Sequence, residues 1–143
     1  MKKISLLLIL TVPFFALKAQ NKTIVPIVAQ ASDYISLIEN NYNQQVVHLE
    51  FDVIKSEKTI YRQLFAGTMY GIIIYGDDQI KELKLKIEHI EGEKVISDVV
   101  SGDGKGIVML YFKPKVTDYY SFTITSILNN PDDYGYYGCI IFR

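Results

Sequence analysis

Val46-Val47-His48-Leu49-Glu50-Phe51-Asp52-Val53-Ile54 is the stretch that decides the fold. From Val47 to Val53 every second residue is apolar, and His48, Glu50 and Asp52 fill the gaps. A period of two belongs to a strand, because successive side chains point to opposite faces. The spacing predicts a strand with Val47, Leu49, Phe51 and Val53 on a dry face and His48, Glu50 and Asp52 on a wet one.

The same period runs on toward Arg143. After the turn Ser56-Glu57-Lys58, Thr59 to Ala66 reads as a second, less regular strand. Thr68 to Tyr75 follows, and its core Ile72-Ile73-Ile74 is apolar on both faces, as a central strand requires. Gly76-Asp77-Asp78-Gln79 turns the chain, and Leu83, Leu85 and Ile87 then alternate with Glu82, Lys84, Lys86 and Glu88. Val95–Val100, Ile107–Lys113, Tyr119–Ile127 and Tyr136–Phe142 complete the series, separated by Gly-, Asp-, Asn- and Pro-rich turns. About eight short strands at this spacing predict an all-β domain over residues 46–143, an antiparallel β-sandwich or jelly roll.

Residues 20–45 differ. Val25, Val28, Ala29, Ile35, Ile38 and Tyr42 recur at three- and four-residue steps, while Asp33, Ser36, Glu39 and Asn40 fall largely elsewhere. This is one N-terminal amphipathic helix over 24–42. Pro26 suits its first turn, Thr23 or Asn21 its cap, and Asn40 to Asn43 its end. Such a helix is not stable alone in water, so it is expected to pack on the sandwich.

Residues 1–19 have the three parts of a cleavable secretion signal. Lys2 and Lys3 are followed by a largely apolar run from Ile4 to Leu17, and then by Lys18-Ala19-Gln20. The run is about fourteen residues long, against about twenty for a membrane span. Cleavage after Ala19 removes three lysines and no acid from 15 basic and 16 acidic side chains. The mature chain is therefore mildly acidic, carries no span, and lacks the basic run that phosphate contacts with nucleic acid demand. The one cysteine, Cys139, sits in the apolar run Gly138–Phe142 and reads as a small buried hydrophobe. It is too far from Ala19 to carry a lipid at the cleavage site.

Several segments resemble a known family. They are Leu64-Phe65-Ala66-Gly67-Thr68-Met69-Tyr70, Ile74-Tyr75-Gly76-Asp77, Leu83-Lys84-Leu85, Phe112-Lys113-Pro114 through Asp118-Tyr119-Tyr120, and Gly135-Tyr136-Tyr137. Over residues 64–142 the chain resembles the bacterial pre-peptidase C-terminal domain, a small β-sandwich of secreted proteins. It departs from that pattern at Lys84, where the family tends to place an acid, and at Asp118, where it usually has a glycine. The resemblance implies fold first, and an accessory role beside another activity second.

The candidate site residues are few. Asp77, Asp78 and Glu82 are the best metal candidates, with Asp98, Asp103, Asp132 or Asp133 as further donors, since calcium takes six to eight oxygens. Aspartate and glycine also serve turns, and lysines are mixed among these acids, so no cofactor is expected and calcium is not favoured. Gly102 to Gly106 lacks the spacing and following Ser or Thr of a phosphate loop and reads as a hairpin. His48 and His89 show no zinc spacing, and no Gly-x-Ser-x-Gly elbow is present. Among eleven tyrosines, Tyr134, Tyr136 and Tyr137 cluster by the last loop, while Tyr119 and Tyr120 open the strand before it. One of each adjacent pair is expected to face outward, where rings stack on sugars or peptides.

These features point to an exported, non-enzymatic binding or accessory module with a peptide or glycan partner outside the cytoplasm. The alternative is a structural or assembly protein docking through its helix or an edge strand. A small secreted hydrolase comes third. The protein recovered from its producing cells is expected to begin at Gln20. N-terminal mass spectrometry checks this, and an intact Met1 in membrane-bound material contradicts it.

Overall fold

The computed structural model describes residues 22–89, 94–100 and 106–143. The expected leader at 1–19, the side chain of Asp98 and the 101–105 loop with Asp103 lie outside them. An α-helix, α1 (Val25–Ser36), precedes eight strands. These are β1 (Val46–Ile54), β2 (Glu57–Leu64), β3 (Tyr70–Gly76), β4 (Ile80–His89), β5 (Lys94–Val100), β6 (Ile107–Phe112), β7 (Asp118–Leu128) and β8 (Gly135–Phe142). They form two four-stranded antiparallel sheets, β1-β8-β3-β6 and β2-β7-β4-β5. The expected sandwich of about eight strands with one N-terminal helix is what forms.

Two apolar layers result. Between the sheets lie Ile72 and Ile74 of β3, Leu85 and Ile87 of β4, Phe122 and Ile124 of β7, and Cys139 of β8, all fully buried. Burying each large side chain of this kind contributes about 1.5–3 kcal/mol. Cys139 is the small core residue expected, and burial pushes its thiol up to about 12. The second layer lies between α1 and the outer face of the first sheet, and contains Ile27, Ala31, Ile38, Ile73, Tyr75, Ile140 and Phe142.

Two cross-strand pairs make the seat for α1. Tyr75 pairs with Gly138 and Phe142 with Gly71. A Cβ at Gly138 would lie 2.3 Å from the Tyr75 ring, and one at Gly71 2.0 Å from the Phe142 ring. Each glycine thus lets the opposite ring lie against the sheet beneath the helix. Tyr75 packs edge-on against Tyr34 at 5.0 Å and donates its hydroxyl to the Ile27 carbonyl at 3.2 Å. The helix ends in a π-turn over Leu37–Asn41, with the Tyr42 N–H donating to the Leu37 carbonyl, and Asn43 takes φ 52° as the chain leaves it.

Two expectations are corrected. The buried line of the helix runs through Ile27 and Ala31 to Ile38 in the π-turn; Ile38 is buried as expected, but Ile27 and Ala31 take the inner positions expected of Val25, Val28 and Ala29, which are exposed. In β1 the faces are reversed. His48, Glu50 and Asp52 turn toward β2, which lies in the facing sheet, while Val47, Leu49 and Val53 remain more than a third exposed. The reversal has two causes: α1 makes the outer face partly apolar, and β2 supplies basic partners inside.

Truncating Ile27 or Ile38 to Ala is expected to cost about 2–5 kcal/mol, as for buried aliphatic side chains. Val25→Ala is expected to stay within about 0.5 kcal/mol. Urea melts of the three variants check this, and equal losses at all three positions contradict the placement of α1.

Candidate functional site

A cleft of about 440 Å³ opens between the start of α1 and the β3–β4 turn. Pro26, Ile27 and Gln30 line it from the helix, and Asp77, Asp78 and Gln79 from the turn. Pro26 fits here because the first-turn N–H it lacks has no partner inside the helix. The N-cap position is Ile24 rather than the expected Thr23 or Asn21; the Thr23 hydroxyl, one residue earlier, accepts from the Val25 N–H at 3.3 Å.

Asp77 shapes the turn. Its Oδ1 accepts from the Gln79 N–H at 3.0 Å and its Oδ2 from the Tyr136 N–H at 2.9 Å. The Asp77 N–H donates in turn to the Tyr136 carbonyl at 3.0 Å. Both carboxylate oxygens are therefore engaged in tying the turn to β8. Asp78 is exposed, accepts from Gln79 Nε2 and holds Asn129 through its carbonyl. Glu82 lies farther along β4 beside Lys84 Nζ at 3.5 Å. Asp133 pairs with Lys22, which together with the Tyr134 N–H holds its carboxyl below the usual range. Among the described residues no three His, Cys, Asp or Glu side chains gather as a metal site would need.

The five tyrosines do not form one surface. Tyr120 and Tyr137 are buried, donating to the Val116 carbonyl and to Glu50 Oε1. Tyr119 is exposed beside β2, at the far end of the sandwich from the cleft. Tyr134 and Tyr136 meet edge-on at 5.8 Å near the cleft. Lys22 Nζ lies 4.6 Å from the centre of the Tyr134 ring and donates to the Tyr134 carbonyl. The adjacent pairs do split as alternation requires, with Tyr119 out and Tyr120 in, Tyr136 toward the helix side and Tyr137 in.

Asp118, one of the two departures from the family pattern, has a partner. Its Oδ2 lies 2.9 Å from His89 Nε2, and its Oδ1 accepts from the Tyr119 N–H. The pair ties the end of β4 to the start of β7. The Ser121 hydroxyl points to the Glu88 carbonyl, so it does not extend the pair into a triad.

A second polar group closes the side of the sandwich between β1 and β2. Arg62 donates from Nη2 to Glu50 Oε2 at 3.0 Å and from Nη1 to the Tyr61 carbonyl at 2.7 Å. It also faces both ring nitrogens of His48, at 3.2 and 3.0 Å. Lys58 pairs with Asp52, holding that carboxyl below its usual range. Sequence reasoning missed this seam. Its signal was the meeting of two consecutive period-two patterns, His48-Glu50-Asp52 and Lys58-Arg62.

Solved structures resemble this fold. The pre-peptidase C-terminal domain of a collagenase from Bacillus anthracis aligns over 66% of this chain and 87% of its own, with 9% identity and a TM-score of 0.52. The fold is similar to that of a pre-peptidase C-terminal domain. The resemblance read from residues 64–142 thus holds at the level of fold. Looser likenesses are to PliG, a periplasmic inhibitor of g-type lysozyme. The Aeromonas hydrophila protein shares 9% identity over 67% of this chain and 85% of its own, with a TM-score of 0.42. The Salmonella Typhimurium protein shares 12% over 67% and 86%, also with a TM-score of 0.42. No protein-family model and no curated protein matches the chain. Among the described residues no helix is long and apolar enough to cross a membrane.

The seam carries a pH dependence. Burial, and then the neighbouring Arg62, lower the pKa of His48 from its ordinary 6.5 against the opposing pull of Glu50. Neutral imidazole keeps one bare nitrogen to accept from Arg62; protonation removes it and sets two cations side by side. As pH falls below 6.5 the unfolded chain takes up this proton first, so stability is full above that value and declines below it. The melting temperature is expected to fall between pH 7 and 5, and to fall less in His48→Gln. Equal falls in both proteins would assign the acid sensitivity to other groups.

Proposed function

We propose that this chain is a non-enzymatic binding or accessory module working outside the cytoplasm, and that it takes an extended peptide or a glycan in the cleft at the start of α1. The observation that carries the reading is the make-up of the cleft. A concave surface of about 440 Å³ combines the apolar Pro26 and Ile27 with the amides of Gln30 and Gln79 and the carboxylate of Asp78. Ligand sites commonly have this form, apolar with a few placed polar groups. Tyr134 adds a ring 37% exposed next to Lys22, which lines the cleft. The sandwich provides rigid support, since Asp77 ties the turn to β8 and Tyr75 ties the helix to β3.

A hydrolase has less support. His89 and Asp118 are paired, but the described neighbour Ser121 is turned to a backbone carbonyl. The test is capture from a native cell-envelope extract, read by mass spectrometry for proteins and for released glycans. The purified protein is expected to retain a partner that Gln30→Ala/Asp78→Ala loses by at least about tenfold, equivalent to about 1.4 kcal/mol. Tyr119→Ala, at the other end of the sandwich, is expected to retain it. Equal capture by all three proteins would move the site away from the cleft.

A further inference from the structure

The outer face of β1 carries an apolar stripe that α1 leaves uncovered. Val47, Leu49 and Val53 are 42%, 40% and 43% exposed, while Phe51 packs toward the helix layer. β1 is also the edge of its sheet, with β8 on one side. In an antiparallel ladder alternate residues turn their peptide groups to the neighbour and the others turn theirs away. Gln45 and Arg143 exchange both bonds, at 2.7 and 2.9 Å, and the register then shifts between Val46 and His48, placing His48 opposite Ile141. His48, Glu50 and Asp52 therefore face β8, and the peptide groups of Leu49, Phe51 and Val53 face the open side. The Val53 N–H is held there by its neighbour, Asp52 Oδ1, at 2.7 Å.

Edges of this kind are usually guarded by lysine, proline or an inward charge that pairing would bury. No Lys or Pro occurs from Val46 to Ile54. The inward charges are already paired, Glu50 with Arg62 and Asp52 with Lys58, and the Tyr137 hydroxyl donates to the other oxygen of Glu50. A strand added beside β1 would leave no charge newly unpaired. A lysine follows each edge strand of this sheet, Lys55 after β1 and Lys113 after β6, but β6 is only six residues long and runs into Pro114.

We propose that β1 is an interface between two copies of this chain, paired edge to edge and antiparallel about a two-fold axis at Glu50. The strand is self-complementary about that residue: Val47-His48-Leu49 on one side answers Phe51-Asp52-Val53 on the other. Under the two-fold, Val47 of one copy meets Val53 of the second, His48 meets Asp52, and Leu49 meets Phe51. Leu49 and Phe51 both have open peptide groups, so each such pair exchanges two hydrogen bonds. The like-charged Glu50 pair at the axis points inward, each carboxylate held by its own Arg62. The two apolar stripes join on one face, as an isologous contact requires.

Equilibrium sedimentation of the purified protein tests this. A dimer is expected, Leu49→Lys is expected to be monomeric with the wild-type circular dichroism spectrum, and Met109→Lys on β6 is expected to remain dimeric. Leu49→Pro removes only an N–H facing the open edge and is the second disabling variant. A wild type that stays monomeric up to about 1 mM, where association free energy is only about 4 kcal/mol, overturns the proposal. So does a dimer that survives both Leu49 variants, or one lost in Met109→Lys.

Discussion

Tyr75 on Gly138 is the contact on which the arrangement depends. The ring fits against the sheet because its cross-strand partner has no side chain. From there it packs against Tyr34 and donates to the Ile27 carbonyl, joining the helix to the centre of the first sheet. Its phenol, buried and beside Tyr34, is pushed far above its usual pKa and stays a donor throughout the physiological range. The start of α1 is thereby positioned opposite the Asp77 turn, and the cleft between them exists because both walls are tied to β3 and β8.

The two sides of the sandwich solve the problem of closure differently. In the middle, apolar side chains from both sheets interdigitate. At the β1–β2 side the facing residues are ionic, and each carboxylate has a basic partner. These pairs are partly exposed to solvent and add little net stability. Their effect here is on register: a slip of β1 by one residue would set Val47 and Leu49 against Arg62 and expose Glu50 to the helix layer. Polar pairing thus fixes which face of β1 is inside, although its hydrophobicity alone favours the opposite.

That contrast explains what the sequence made legible. The strands were readable because alternation and turn residues are local signals, and Ile72-Ile73-Ile74 in β3 does lie between two neighbours. Alternation in β1 says that two faces differ, not which one is inside; that depends on Lys58, Arg62 and α1. The first half of the helix face was misplaced, while Ile38 was placed correctly, because Val25, Ile27, Val28, Ile35 and Ile38 spread apolar residues around most of the cylinder. Tyr119 and Tyr120 could be split into outer and inner, yet the distance of Tyr119 from Tyr134 follows from topology. Lys22 and Gln30 had no local signature at all, since the cleft they line forms only once the helix is seated. Asp118 stood out as a departure, while its partner His89 lies 29 residues away in sequence.

The position of β8 has a kinetic meaning. β8 lies between β1 and β3, far from either in sequence, and it also supplies Ile140 and Phe142 to the layer under α1. Neither the first sheet nor the helix seat can form from the earlier segments alone. Contacts so distant in sequence make loop closure costly and folding slow, with the first sheet unable to close until β8 is available. Loss of β8 would remove the spine of a sheet rather than fray its margin.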